Sequence, residues 1–378
     1  MKQLLRDLAE IGAGQGAPQG DSNYCDDGTP FVKAGNLESL TTGAPLGSIQ
    51  KVSDSVAKEH RLKLYPKGTV LFAKSGMSCL KGYVYVLPKD AYVVSHLACV
   101  TPKEDLSEYL RYYFLYRKPN QLVKDASYPS ISLADIGDLE IDAKDKQTRK
   151  HIIATLSLVE RVIQLRQKQL SALDDLIKAR FVEMSSRWER EMRRTPLYNY
   201  IKFITYGFTN PMPDADIGPW KITAKDIING VVNYATARRT TQESYDLLTE
   251  KCKPVKGDVL LTKDGTLGRL AVVDQDGICV NQSVAVLRPN ERILPAFLMA
   301  LLNSPECQRE MIANSGGGTI KHLYITKVDK MEVVVPRLDE QEEFISFVSQ
   351  INKSKSVIQK SLDETQLLFD SLMQKYFG

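Results

Sequence analysis

The chain has 378 residues, of which 43% are hydrophobic and 25% charged, and its formal net charge is +4. This composition excludes disordered, collagen-like and membrane-spanning classes, and the length predicts at least two domains, each with its own core. Because the net charge is small, any nucleic-acid surface on the globular parts must be a local patch of lysine and arginine.

The cysteines and the N-terminal segment indicate the type of site and the compartment. The six cysteines are scattered, with no C-x-x-C pair and no histidine at metal-ligand spacing, so no metal site is expected. The N-terminal segment carries acidic residues among its apolar ones and lacks the hydrophobic stretch of a signal peptide. A cytoplasmic protein with reduced thiols is therefore expected.

Residues 1–145 are predicted to form a first α/β domain. The segment KGTVLFAKSG at 67–76 is typical of a short strand between two glycines. The stretch VVSHLACVTPKEDLSEYLRYYF at 93–114 then predicts a strand, a proline-marked turn and an amphipathic helix. A polar segment, YPSISLADIGDLEI at 128–141, follows before the next element.

A long helix is predicted over 146–190. Apolar residues recur there at steps of three and four, and neither glycine nor proline interrupts the heptad pattern over 147–184. As one helix, residues 147–184 would measure about 57 Å at 1.5 Å per residue. The region is also basic, because residues 144–194 contain 13 Lys and Arg against 7 Asp and Glu.

Residues 191–338 repeat the first domain. KGDVLLTKDG at 256–265 matches KGTVLFAKSG with six identities at an offset of 189 residues, and Pro30 and Pro219 share that offset. The flanking segments keep the same order, since GTPFVKAGNLESLTTG (28–43) corresponds to GPWKITAKDIINGVVN (218–233), and the 128–141 segment to GGTIKHLYITKVDKMEVVVP (317–336). Collinear similarity of this kind indicates tandem duplication.

The final segment, 339–378, repeats the heptad register of the first long helix. An apolar seam this narrow needs a partner helix, so the two helices are predicted to pair as a coiled coil. Heptads do not specify direction, but a pseudo-twofold relation between the halves requires antiparallel pairing. The alternative is that each helix packs on its own domain. The predicted seam consists of Leu156, Val159, Ile163, Leu170, Leu173, Ile177, Val348, Ile351, Ile358, Leu362, Phe369 and Leu372.

Two similar domains separated by a paired-helix spacer suit a ligand with two recognition points at a fixed separation. Duplex DNA is the commonest polymer of that kind, because its major grooves recur about every 34 Å. Several motifs occur in a fixed order along the chain: LAEIGAGQGAPQ before GTPFVKAGNL, both K-G-x-V-L repeats, SISLADIGDLEI, PRLDEQEEFISFV, and the endings LDDLIKARFVEM and LLFDSLMQKYF. Through these motifs the chain resembles, over essentially its whole length, the specificity subunit of type I restriction-modification systems.

This resemblance implies a fold and a set of partners. Each α/β unit would be a target recognition domain that reads one half of a split, asymmetric sequence in double-stranded DNA, and the helices would set the unread gap. Two methyltransferase (modification) subunits would dock on this scaffold, supply S-adenosylmethionine and methylate adenine. A restriction motor-nuclease subunit would add cleavage. The chain itself would be non-catalytic, with no cofactor and no metal.

In the first domain, candidate DNA contacts are polar or cationic side chains on loops that follow a repeated strand. Phosphate contacts position a protein on DNA, whereas contacts to base edges supply sequence information. The alternative is that these residues are solvated parts of a turn. The candidates are Lys74, Ser75, Lys81, Tyr128, Ser130 and Ser132.

The second domain carries a different candidate set at corresponding loops. ATARRTTQ at 235–242 adds two adjacent arginines, and arginine suits bidentate contact with guanine. NSGGGTIKH at 314–322 adds a glycine run whose amides could approach phosphate. Because the loops differ, the two domains should read different half-sites. The candidates are Arg238, Arg239, Lys263, Asp264, Thr266, Arg269, Thr319, Lys321 and His322.

Two other function classes remain as alternatives. A self-contained DNA methyltransferase or nuclease is disfavoured, because NPMP at 210–213 lacks the aromatic residue that stacks a flipped base. GAGQGA at 12–17 has no β-α-β setting for a nucleotide cofactor. A coiled-coil adaptor that binds proteins and not DNA is the other alternative, and salt-sensitive DNA affinity would distinguish it.

Overall fold

The computed structural model describes residues 2–125, 127–317 and 321–378. The chain divides into two compact units. Unit 1 comprises Met1–Gln167 with Lys360–Gly378, and unit 2 comprises Lys168–Gln359. Each unit therefore combines a globular α/β part with segments of both long helices.

Unit 1 contains short helices, short strands and the first part of a long helix. Its helices are α1 (Leu5–Leu8), α2 (Leu37–Thr41), α3 (Asp54–Glu59), α4 (Ser107–Arg117), α5 (Leu133–Gly137) and the start of α6 (Lys146–Glu191). Its strands are β1 (Lys2–Leu4), β2 (Ala9–Ala13), β3 (Thr29–Val32), β4 (Lys51–Val52), β5 (Leu64–Tyr65), β6 (Val70–Ala73), β7 (Val84–Val86), β8 (Ala91–Val93), β9 (Leu97–Pro102) and β10 (Glu140–Asp142).

An antiparallel sheet in the order β2-β9-β6-β7 organises unit 1. All four residues of β6 are buried, which explains the continuous apolar run in KGTVLFAKSG. The Phe72 ring from this strand packs 4.8 Å from that of Phe114 on α4. A second sheet, β4-β3-β8-β5, contains a parallel pair in which Phe31 lies opposite Tyr92.

Unit 2 has the corresponding elements. Its strands are β11 (Thr195–Pro196), β12 (Ile201–Tyr206), β13 (Ala215–Ile222), β14 (Ile227–Ile228), β15 (Val231–Val232), β16 (Arg238–Arg239), β17 (Val259–Thr262), β18 (Leu270–Val272), β19 (Ile278–Val280), β20 (Val284–Pro289) and β21 (Glu332–Val333). Its helices are α7 (Gln242–Asp246), α8 (Pro295–Leu302), α9 (Pro305–Ala313), α10 (Ile325–Val328), the end of α6 and the start of α11 (Leu338–Phe377).

The sheet topology of unit 2 repeats that of unit 1. The order β12-β20-β17-β18 corresponds to β2-β9-β6-β7, and β13 pairs in parallel with β19 as β3 does with β8. The glycines that end the repeated strands share a left-handed backbone, with φ 76° at Gly76 and 78° at Gly265. A β-carbon is strained in that conformation, which explains why both copies keep glycine. The predicted tandem duplication of a mixed α/β unit is confirmed.

The long helices α6 and α11 pair antiparallel, as predicted. In unit 2, Lys355 Nζ lies 2.5 Å from Asp174 Oδ1, and Arg180 Nη2 lies 2.9 Å from Glu343 Oε1. As residue numbers increase along α6, the numbers of their partners on α11 decrease, so the two helices run in opposite directions. All twelve predicted seam side chains are buried or half-buried. No helix in the described ranges is both long and apolar enough to cross a membrane.

The C-terminal end of α11 belongs to unit 1. Met373 and Phe377 share a hydrophobic core with Ile152 and Leu156 of α6. The Phe377 ring also packs 5.2 Å from the ring of Tyr109 on α4. The last turns of the chain therefore contribute to the core of the first domain. The alternative, in which each helix packs only on its own domain, does not account for this contact.

A charged cluster fastens α4 to α6 within unit 1. Arg111 donates to both carboxylate oxygens of Glu160, at 3.0 and 2.6 Å, and the hydroxyl of Tyr112 donates to Glu160 at 2.9 Å. Burial raises the pKa of Glu160, but the hydrogen bonds and charge of Arg111 outweigh that effect and hold the pKa below its usual value. Glu160 is thus kept ionised, and the bidentate geometry fixes the orientation of α4 on α6.

Candidate nucleic-acid interface

In unit 1, two of the predicted polar segments meet beyond the end of β6. The backbone N–H of Ile131 donates to the carbonyl of Lys74 at 2.8 Å, and that of Gly76 donates to Pro129 at 3.0 Å. Ser75 and Ser130 form an antiparallel bridge between these two contacts. The strand-end turn and the 127–131 loop therefore form one hydrogen-bonded surface, called here the unit 1 tip (residues 74–77 and 128–131).

The side chains predicted to bind DNA in unit 1 differ in their surroundings. The Ser75 hydroxyl lies 2.8 Å from His96 Nδ1, and Lys81 pairs with Glu38 at 2.8 Å on the surface. Ser132 caps α5, because its hydroxyl accepts from the Asp135 N–H at 2.9 Å. Ser132 thus has a structural role, whereas Lys74, Ser75, Tyr128 and Ser130 come together at the unit 1 tip.

Unit 2 builds the same backbone arrangement from different side chains. The N–H of Leu323 donates to the carbonyl of Lys263 at 2.8 Å, as Ile131 does to Lys74, and Asp264 bridges His322. The carboxylate of Asp264 accepts from Lys263 Nζ at 2.9 Å and lies 2.7 Å from His322 Nδ1. The contact with Asp264 orients the imidazole of His322, which stays half-exposed. We call residues 263–266 with 321–322 the unit 2 tip.

The remaining candidates near the unit 2 tip are exposed. Thr266 and Lys321 lie on its surface, and Arg269 follows in the turn that leads into β18. The backbone N–H of Arg269 donates to the Thr262 hydroxyl at 2.9 Å, and the residue itself is exposed. The predicted contact at Thr319 lies outside the described residues.

Arg238 and Arg239 lie on a separate sheet, β16-β13-β19. Arg238 pairs with Asp214 at 2.7 Å. The guanidinium of Arg239 lies 3.6 Å from the ring centroid of Trp220 and donates to the Gly218 carbonyl at 2.7 Å. Arg239 is therefore held in one orientation by stacking, whereas Arg238 could exchange an exposed carboxylate for another anion.

Carboxylates accompany several of the candidate cations. The hydrogen bond from Lys81 lowers the pKa of Glu38, and the hydrogen bond from Lys221 lowers that of Asp214, with Arg238 contributing. Both carboxylates therefore stay ionised near neutral pH. A phosphate that approaches Lys81 or Arg238 must replace an existing surface ion pair, and such pairs are individually weak.

Sequence reasoning missed residues that position the candidates. His96 lies in the turn between β8 and β9, in the part of the 93–114 segment that is predicted to be a strand. Trp220 supports Arg239 from β13, 19 residues earlier in the chain. The internal repeat offered a signal for both, since each lies in or beside a repeated strand. Within the described ranges, no group of three or more His, Cys, Asp or Glu side chains is placed to hold a metal ion.

Curated relatives match part of the chain. It is 28% identical over 173 residues to the type I restriction enzyme EcoBI specificity subunit of Escherichia coli. It is 27% identical over 177 residues to the MjaIX specificity subunit of Methanocaldococcus jannaschii. Each match covers 45% of this chain, and the matched region spans 36% and 39% of the respective relative.

Solved structures match the fold over the whole chain. The type I restriction-modification S subunit from M. genitalium aligns with a TM-score of 0.51 at 15% identity, over 100% of this chain and 96% of that one. A chain from a structural study of complex assembly and conformational transition of the type I R-M system aligns with a TM-score of 0.61 at 16% identity, over 100% and 97%.

A family model gives the assignment. The model described as the type I restriction modification DNA specificity domain matches residues 2–174 and 214–365. These two matches cover most of both globular parts, in agreement with the duplicated sheets and the duplicated tips. The chain therefore belongs to the family of type I restriction-modification specificity subunits.

Proposed function

We propose that this chain reads a bipartite, asymmetric sequence in double-stranded DNA, with one half-site for each unit. The observation that carries this proposal is the pair of tips, which share one backbone arrangement and differ in side chains. Unit 1 presents Ser75 with His96, whereas unit 2 presents Asp264 with His322. Because hydrogen-bonding groups at base edges carry sequence information, unlike tips should select unlike sequences.

Membership of the family supports the partners that complete the proposal. The chain contributes recognition and no catalysis, and two modification subunits supply S-adenosylmethionine and adenine methylation. A restriction motor-nuclease subunit adds cleavage. The paired helices α6 and α11 set the unread gap between half-sites. Since the target is cellular or incoming DNA, we expect the complex to work in the cytoplasm.

Matched histidine variants test the assignment of one half-site to each unit. His322→Ala should weaken selection at only one half-site, and His96→Ala at only the other. A lost base contact corresponds to about 1–3 kcal/mol, or roughly 5- to 150-fold in discrimination. The measurement is sequencing of methylated adenines after each variant, in complex with its modification subunits, acts on a random duplex library.

The two variants serve as controls for each other. Loss of selection at the same half-site from both changes would contradict the assignment. If the complex without either substitution showed no preference for a bipartite sequence, the proposed function itself would be contradicted. Protein binding with no salt-sensitive DNA affinity would instead favour the coiled-coil adaptor.

Exposed leucines on α6 support docking of a modification subunit on the helices. Within unit 1, Leu158 is 65% exposed and Leu165 51% exposed, although Leu156 and Ile163 of the same helix are buried. Leu158 and Leu165 are two turns apart and share one face, which is separate from the seam that faces α11. An unpaired apolar face of this kind suits a further helix from a partner subunit.

Charged substitutions on this face should weaken assembly and leave the fold intact. The double variant Leu158→Lys/Leu165→Lys is expected to reduce affinity for the modification subunit by at least about tenfold, because burying two lysines is unfavourable. Analytical ultracentrifugation of the mixed subunits measures this effect. Val357→Lys on α11, also an exposed apolar position, is the control for added charge. Unchanged assembly of the double variant would place the docking surface elsewhere.

A further inference from the structure

The unit 1 tip ends in two unusually exposed apolar side chains. Tyr128 is 82% exposed and Met77 is 70% exposed, the highest values for large apolar residues in the described globular part of unit 1. Singly exposed apolar residues are common on protein surfaces. These two, however, occur together on one ordered structural feature.

The backbone holds Met77 and Tyr128 at the same end of the paired segment. Ser75 bridges Ser130, and the Gly76 N–H donates to Pro129, so the next residue on each strand extends from the tip. Behind Met77, the N–H of Cys79 donates to the Gly76 carbonyl at 2.9 Å, and the Cys79 side chain is buried. The turn that carries Met77 is therefore braced, and Tyr128 lies on the segment paired with it.

The two tips differ at the position of Met77. Thr266 occupies the corresponding position in unit 2, 189 residues later, and Asp264 forms a hydrogen-bonded pair with His322 at that tip. Ile320, which corresponds to Tyr128, lies outside the described residues. The thioether of the unit 1 tip is thus replaced by a hydroxyl group in unit 2.

We propose that Met77 and Tyr128 form a wedge that enters a base-pair step of the first half-site and partly unstacks it. The inference rests on the proposed function. Apolar side chains, methionine among them, can insert between base pairs and kink the duplex. The tyrosine ring stacks on the exposed base face, while Lys74 beside the wedge contacts backbone phosphate. Unit 1 thus reads the deformability of its step as well as base edges.

Fluorescence of 2-aminopurine tests the wedge. The methylated sequence is first mapped for the complex with its modification subunits, and duplexes are then made with 2-aminopurine at successive positions of each half-site other than the methylated adenines, because flipping of a target adenine would also brighten the probe. One step in the first half-site should become brighter on binding, because unstacking relieves quenching. Tyr128→Ala with Met77→Ala should abolish this signal and weaken binding by about tenfold or more.

Conservative variants separate a wedge from a hydrogen bond. Tyr128→Phe keeps the ring and should retain the fluorescence change, whereas Tyr128→Ser keeps a hydroxyl and should lose it. Leu64→Ala, an exposed apolar change on β5 outside the tip, should have no effect. Equal thermal unfolding and intact selection at the second half-site show that the variants are folded.

Two results overturn the inference and are distinguishable from failure of the proposed function. If the complex selects a bipartite sequence but no position in the first half-site brightens, the wedge is wrong and sequence reading stands. If Tyr128→Phe loses the signal as fully as Tyr128→Ser, the hydroxyl and not the ring makes the contact. If no sequence is selected at all, the proposed function fails.

Discussion

Replacing Arg288 with threonine is expected to lower the free energy of unfolding by about 3–5 kcal/mol, because it leaves a buried carboxylate without its partner. Asp258 is 1% exposed, and its two oxygens accept from Nε and Nη2 of Arg288, each at 2.8 Å. Asp258→Thr should be less harmful, since the Arg288 side chain already reaches solvent. Chemical denaturation of each variant measures the difference.

The double variant Asp258→Thr/Arg288→Thr should recover most of the lost stability. The equivalent positions of unit 1 are the buried Thr69 and the half-buried Thr101, whose hydroxyls lie 3.1 Å apart. The two halves of the duplication thus join the same strands with an ion pair in one case and a hydroxyl pair in the other. Replacing both partners of a buried pair can be nearly neutral. A double variant less stable than Arg288→Thr would refute this equivalence.

Lengthening both spacer helices together should abolish methylation at the original site. Seven residues inserted after Gln167 in α6 and seven after Gln359 in α11 add about 10 Å to each helix and preserve the heptad seam. Repeating residues 161–167 and 353–359 supplies suitable sequence. Because the two recognition domains would no longer match the separation of the original half-sites, methylation at that site should fall by about 100-fold or more. Any newly selected site should keep both half-sites and have a gap longer by about three base pairs.

Inserting seven residues into only one helix is the matched control. It shifts the contacts of α6 with α11 by one heptad on one side of the insertion, so it should lower thermal stability. The paired insertion should not. Sequencing of methylated adenines and thermal unfolding are compared for both variants. Methylation of the original site, with an unchanged gap, by the paired insertion would show that the helices do not set the spacing.

Periodic and repeated features were predictable from the sequence. The strand β6 and its copy β17 were predicted from apolar runs between glycines, and these glycines have the positive φ that ends both strands. The helices α6 and α11 were predicted from heptads and begin within one residue of the predicted starts. Antiparallel pairing required a further argument from the symmetry of a duplication, and contacts such as Lys355 with Asp174 agree with it.

The candidate site was only partly predictable. Glycine-flanked loops pointed to Lys74 and Lys263, but no spacing rule indicated that Ile131 and Leu323 would bond to their carbonyls. The sequence did not indicate that Ser132 caps a helix or that Arg239 lies on Trp220. These roles depend on which partner is nearest in space, and a list of polar residues does not contain that information.

The sequence by itself determined the duplication, the strand and helix periods and the family, because each is encoded in local order and in an offset that can be read along the chain. The tertiary structure alone decided which loops form the two tips, which candidate side chains already have internal partners, and that Phe377 completes the core of unit 1. The physical reason is that hydrogen bonds and packing between distant segments depend on three-dimensional distance, which leaves no period in the sequence.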